Sequence, residues 1–244
     1  MDKLIIGISG RKQSGKGVLA KFLTANSQIL FGVPCYQVAV APMAEPIKRF
    51  CHDVLGLAFA QCWGTNEDKN TLTTYRWEDM PMYEAYVLDE AKKLHESLSL
   101  EDTLEKWRAK VPTGLMTARQ VLQEIGTKMG RRFNENLWCE ANMRRINGDA
   151  ENHLFLVDDI RFPNEVRSVQ NNAGAVIRLT RSKFAEDEHI SEKGLDSFPA
   201  NYYDLYVDNQ NLGMAESCWL VAETLMGLGM AHSAAKHDLI FGDQ

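Results

Sequence analysis

The sequence predicts an α/β fold: a mostly parallel sheet sandwiched between helices. Three observations predict it. Leu4-Ile5-Ile6-Gly7-Ile8 is a short apolar, β-branched run followed at once by a glycine-rich turn and then by Val18, Leu19, Phe22 and Leu23 at helical spacing. His153 to Val157 is a second buried run, ending in Asp158 and Asp159. Beyond it, strand-like and helix-like stretches alternate, the pattern of a parallel sheet covered on both faces.

The elements follow in order. Gln37–Val40 reads as a short strand. Met43, Ile47, Phe50, Cys51, Val54 and Leu55 mark one face of a helix ending near Gly56. Residues 64–110 are rich in Glu, Asp, Lys and Trp and helical in part (84–98 and 101–110), so they read as a helical insertion in a single domain spanning 1–244. Thr117-Ala118-Arg119-Gln120 forms a capping box for a helix that turns Val121, Leu122, Ile125 and Met129 inward. Pro163 fits the first turn of the helix after the acidic strand, and Gly174 its end. Ala175–Leu179 is a strand, 182–200 a polar, lid-like loop, Tyr202–Val207 a last strand and Met214–Leu228 a last helix. The tail beyond 231 is expected to be loose.

Composition narrows the function. The 244 residues are 45% hydrophobic and 25% charged, enough for a sizeable core. A net charge of −6 lacks the basic footprint of a polymer-binding protein, so no nucleic-acid partner is expected. Five scattered cysteines without a C-x-x-C pair suit reduced thiols rather than a disulfide frame or zinc site. No signal peptide and no long apolar run is read, so the expected location is cytoplasmic, without a membrane.

The chemistry starts at Gly10-Arg11-Lys12-Gln13-Ser14-Gly15-Lys16-Gly17, which completes the pattern G-x-x-x-x-G-K between a strand and a helix. Glycines let backbone N–H groups turn around phosphate oxygens, the helix start adds a favourable dipole, and Lys16 supplies a point charge. Gly10, Lys12, Gln13, Ser14, Gly15, Lys16, Gly17 and Val18 are the expected ATP-binding residues. Gly17 replaces the usual Ser or Thr ligand of Mg²⁺, so the ion must lean on water, the nucleotide and carboxylates elsewhere. An acid at the end of a buried strand, Asp158 or Asp159, suits that task.

With these segments in hand, the sequence resembles the phage-type deoxynucleoside monophosphate kinases, a P-loop family. Five blocks carry the resemblance: the phosphate loop; Ala44-Glu45-Pro46-Ile47-Lys48; Thr117 to Gln123 with Gly126, Thr127, Arg131 and Trp138; Asp159-Ile160-Arg161-Phe162-Pro163-Asn164-Glu165; and His189-Ile190-Ser191-Glu192. The stretch 64–110 matches none of them. The resemblance implies a three-layer αβα P-loop kinase fold and transfer of the ATP γ-phosphoryl group to a deoxynucleoside 5′-monophosphate with Mg²⁺. Lys16, Arg131, Asp159 and Arg161 would be catalytic, Asp159 orienting the metal directly or through water. Lys48, Arg119, Gln123, Arg132, Trp138 and Glu165 would meet the acceptor. Arg178, Arg181 and His189 flank the lid. Such kinases often pair, so a homodimer is an expectation, and a phage-encoded chain would work in the host cytoplasm. The rival readings are a P-loop kinase of another small phosphorylated metabolite and a nucleotide-binding regulatory protein; no Asn-Lys-x-Asp guanine motif is present to support the latter.

Overall fold

The structure is a computed structural model that describes residues 3–81, 83–85, 87, 88, 90, 111–181, 195 and 198–227. Most of the helical stretches read at 84–110, His189 and its block, most of the 182–200 loop and the tail after 231 lie outside these residues. The chain divides into two compact units, residues 1–45 with 139–244, and residues 46–138.

The first unit is built on five strands: β1 (Leu4–Ser9), β2 (Val38–Val40), β5 (Leu154–Ile160), β6 (Ala175–Leu179) and β7 (Leu205–Val207). Their order across the sheet is β2-β5-β1-β6-β7, and every pairing is parallel. The strands are apolar on both faces because helices cover both. Ile6 and Ile8 of β1 join Leu154, Leu156, Ile177 and Leu179 on one face, under the helices Lys16–Ala25 and Met214–Gly227. Ile5, Phe155, Val157 and Val176 face the opposite side, with Met143 and Ile146 from Leu137–Gly148 and Val166 and Val169 from Pro163–Asn171. This is the mixed α/β, helix–sheet–helix arrangement expected of a P-loop kinase. Among the described residues, no helix is long and apolar enough to cross a membrane.

The pairing of β1 with β5 carries one irregularity. Gly7 pairs with Val157, but Ser9 pairs with Ile160, so two steps on β1 oppose three on β5. The extra residue makes a bulge at Asp158–Asp159, next to the exit of β1. Val157 and Ile160 therefore face the same core, although they are three residues apart.

The second unit has its own core: Cys51, Leu57, Cys62, Met80, Met116, Val121 and Ile125, with Phe50, Trp63 and Trp138 packed against them. Two features depart from the sequence reading. Leu72–Arg76, within the supposed helical insertion, is strand β3, antiparallel to β4 (Leu115–Thr117). Its Thr-Thr-Tyr centre favours a pleat over a helix. The single helix expected after Thr117 is Ala118–Gln123, then a π-helical turn Glu124–Met129, then Gly130–Phe133. Trp138 explains the widened turn. Its indole Nε1–H donates to the Gly126 carbonyl at 3.0 Å, and its ring occupies the space where a Cβ on Gly130 would fall, 2.3 Å from Nε1. The Thr117 cap forms as expected: its hydroxyl accepts from the Gln120 amide and Gln120 Oε1 accepts from the Thr117 amide at 2.8 Å.

Candidate active site

The glycine-rich loop leaves β1 at Ser9 and returns as a helix at Lys16. Gln13 and Gly15 both take left-handed backbone, at φ 60° and 105°. Gly15 meets the requirement without cost, whereas Gln13 adopts a conformation that non-glycine residues rarely do. The helix it precedes has no side-chain cap and no acid in its first turn, so its N–H groups and positive end face outward uncompensated by side chains. Gly10 must be small: a Cβ there would lie 2.3 Å from Ser14 Oγ. Ser14 itself is fully buried, and its hydroxyl makes no hydrogen bond among the described residues. Lys16 Nζ donates to the carbonyls of Gly10 and Arg11, at 2.6 and 2.8 Å, folding the ammonium back across the loop. Lys12, Gln13, Gly17 and Val18 are exposed. A Cβ at Gly17 would meet nothing within 4 Å, so the missing hydroxyl is not a demand of packing.

In the same unit, Asp158 and Asp159 are half-buried in the β5 bulge. Asp159 Oδ1 accepts from the Met43 amide at 2.6 Å and Oδ2 from the Ala44 amide at 3.1 Å, pinning the turn before the helix Glu45–Asp53. Buried Asn142 holds the same segment, donating to the Ala41 carbonyl at 2.9 Å. No group of three or more His, Cys, Asp or Glu able to cage a metal occurs among the described residues. Asp158 and Asp159 are hard oxygen donors of the kind that a divalent cation takes.

Glu165 is buried, and Oε2 accepts from the Arg161 and Phe162 amides at 2.7 and 3.1 Å. That is an N-terminal helix cap, fixing the backbone of Arg161. Arg178 is nearly buried; Nη1 donates to Ser9 Oγ at 3.0 Å and the guanidinium lies over the Tyr203 ring. Arg181 is anchored by Asn209, Leu212 and Met214.

The second unit holds the remaining candidates. Arg119 donates to Asn70 Oδ1 at 3.0 Å and to Asn66 Oδ1 at 2.8 Å. Burial, then the positive charges of Lys48 and Arg119, pull the Lys69 pKa below its ordinary value. Lys48 and Arg119 thus bring positive charge close to Lys69, and the Asp68 carboxylate offsets part of it. Lys69 escaped the sequence reading because it falls in the stretch 64–110, where no motif pointed to it. Gln123 and Arg132 are exposed and Arg131 is half-buried. Trp138 packs in the core as described, tilted against Phe50 at 6.1 Å.

Residues 69–212 match the family model of deoxynucleotide monophosphate kinase. The chain belongs to that family. The match includes Arg119, the β5 acids and Glu165, and begins after the phosphate loop. A relative from Acanthamoeba polyphaga mimivirus, named "Putative deoxynucleotide monophosphate kinase", is 22% identical over 223 residues, covering 84% of this chain and 88% of that protein. The protein is therefore a kinase that transfers a phosphoryl group to a deoxynucleoside monophosphate, a reaction that implies a divalent cation.

Proposed function

We propose that the phosphoryl donor is ATP, that the cation is Mg²⁺, and that the acceptor is a deoxynucleoside 5′-monophosphate. The observation that carries the donor assignment is the loop 10–17: two left-handed residues, an uncapped helix start, a buried hydroxyl with no hydrogen-bond partner among the described residues, and Lys16 folded over carbonyls it can exchange for phosphate oxygens. Lys16 and the loop amides would cradle the β and γ phosphates, with Gly10, Lys12, Gln13, Ser14, Gly15, Gly17 and Val18 along the path. Mg²⁺ would supply charge neutralisation between the phosphates, held by them and by Asp159 through water. Lys48, Lys69 and Arg119 would take the acceptor phosphate, with Arg131 and Arg132 as further cations. Arg161 would meet the transferring group. Gln123 would meet the base or sugar. For Trp138 and Glu165 the geometry supports supporting roles, in the core and at a helix cap, rather than contact with the acceptor.

The bond from the γ phosphorus to the β–γ bridging oxygen breaks, and a bond to an acceptor phosphate oxygen forms. A phosphate monoester is largely dianionic at neutral pH, since its second pKa is about 6, so the nucleophile needs no general base. Charge spreads over the transferring group, and fixed cations and amides stabilise it.

A coupled ADP-release assay with ATP and Mg²⁺ tests the proposal, run against four deoxynucleoside monophosphates, their ribose counterparts and no acceptor. Turnover with at least one deoxy acceptor, and little without, is expected. ADP release indifferent to acceptor would overturn the acceptor assignment, and none with ATP would overturn the donor.

A further inference from the structure

Asn209 belongs to none of the motifs above, yet it is fully buried and makes four hydrogen bonds. Its side-chain Nδ2 donates to the Ser14 carbonyl at 3.0 Å, across 195 residues of sequence. Its Oδ1 accepts from the Arg181 backbone amide at 2.8 Å. Its own carbonyl accepts from Arg181 Nε at 3.1 Å, and its amide donates to Thr180 Oγ1 at 3.2 Å. The segments leaving β6 and β7 are thus knitted together, and Asn209 joins them to the phosphate loop.

The join has a directional consequence. In a trans peptide the C=O and the following N–H point in opposite directions. Drawing the Ser14 carbonyl toward Asn209 therefore aims the Gly15 amide the other way, away from Asn209. A peptide free to rotate would present carbonyl and amide by turns, and a carbonyl there repels phosphate. We propose that Asn209 is a positioning residue for the donor phosphates: it fixes the Ser14–Gly15 peptide and ties it to Arg181. This rests on the ATP reading of the loop. Only an amide side chain gives one donor and one acceptor on a short planar group; Asp lacks the donor and Gln is a methylene longer.

The test is steady-state kinetics on the full chain for wild type, Asn209→Asp and Asn209→Ala. Asn209→Asp keeps the acceptor for Arg181 and sets a second acceptor against the Ser14 carbonyl. Asn209→Ala removes both bonds without that repulsion, and remains measurable should the Asp variant fail to fold. The KM for ATP is expected to rise about tenfold in Asn209→Ala, and more in Asn209→Asp, with the KM for the deoxynucleotide within twofold of wild type. KM does not depend on the fraction of enzyme that is folded, so a merely structural role would lower kcat and leave both KM values in place; that result overturns the inference. Equal rises in both KM values overturn it too. Wild type that makes no ADP from ATP sinks the donor reading and this inference with it, whereas normal wild-type turnover with unmoved variants sinks the inference alone.

Discussion

Asp159→Asn tests two roles at once and separates them. Asp159 accepts one backbone N–H on each carboxylate oxygen, at 2.6 and 3.1 Å. The amide of Asn can accept only one; its NH₂ must then confront the other N–H. One hydrogen bond to a charged group is lost and a donor is left facing a donor, a cost of about 2 kcal/mol. At about 2–4 °C per kcal/mol for a chain of this size, the melting midpoint falls by roughly 4–8 °C. The proposed metal role adds a second effect: kcat falls by about two orders of magnitude, as when a fixed charge aimed at the transition state is removed. Thermal unfolding followed by circular dichroism reads the first effect, and saturating turnover well below the midpoint reads the second. A midpoint within about 1 °C of wild type refutes the anchoring argument. A kcat change under about threefold, with Asp158→Asn severe, moves the metal role to Asp158.

Lys16→Ala is expected to abolish turnover while the chain stays folded, because the bonds to Gly10 and Arg11 it forfeits are partly exposed and worth about 1 kcal/mol each; an ADP-release assay beside a melting curve checks both halves. Trp138→Ala opens the core under the π-helical turn and orphans the Gly126 carbonyl, so the midpoint should drop by the equivalent of about 3–5 kcal/mol, measured by urea denaturation. Burial pushes the Cys51 thiol up to about 12, while Cys35 is exposed; native-state alkylation followed by peptide mass spectrometry should label Cys35 rapidly and Cys51 only after unfolding.

Much of the sheet was legible because its strands are buried on both faces. β1, β5 and β6 are nearly continuous apolar runs, which a solvent-facing strand would not show. The strand, glycine turn and helix around residues 10–17 were legible because the glycines fall between an apolar run and a helix-periodic one. The helix Leu137–Gly148 was not recognised. Its inward stripe of Cys139, Asn142, Met143 and Ile146 has the right spacing, but a buried Asn interrupts the apolar signal in order to hold Ala41. β3 was hidden by the charged composition around it. The π-helical turn depends on Trp138, which reaches back from beyond the helix, so local propensity carries no trace of it. Asn209 and Glu165 show the same limit: what they bind is set by which backbone amides and carbonyls they meet, and only the folded chain supplies those.

The bulge in β5 has a consequence for how the chain can vary. Removing one residue at 158–159 would bring β5 back to two steps against two on β1, and Val157 and Ile160 would still face one core. The strand can therefore gain or lose a residue at this point without turning its apolar side outward, as a one-residue slip elsewhere in the sheet would do. At the exit of β1 the sheet has one position more than its own pairing requires. The composition of that position is open to be set by chemistry, and this chain fills the two places there with acids.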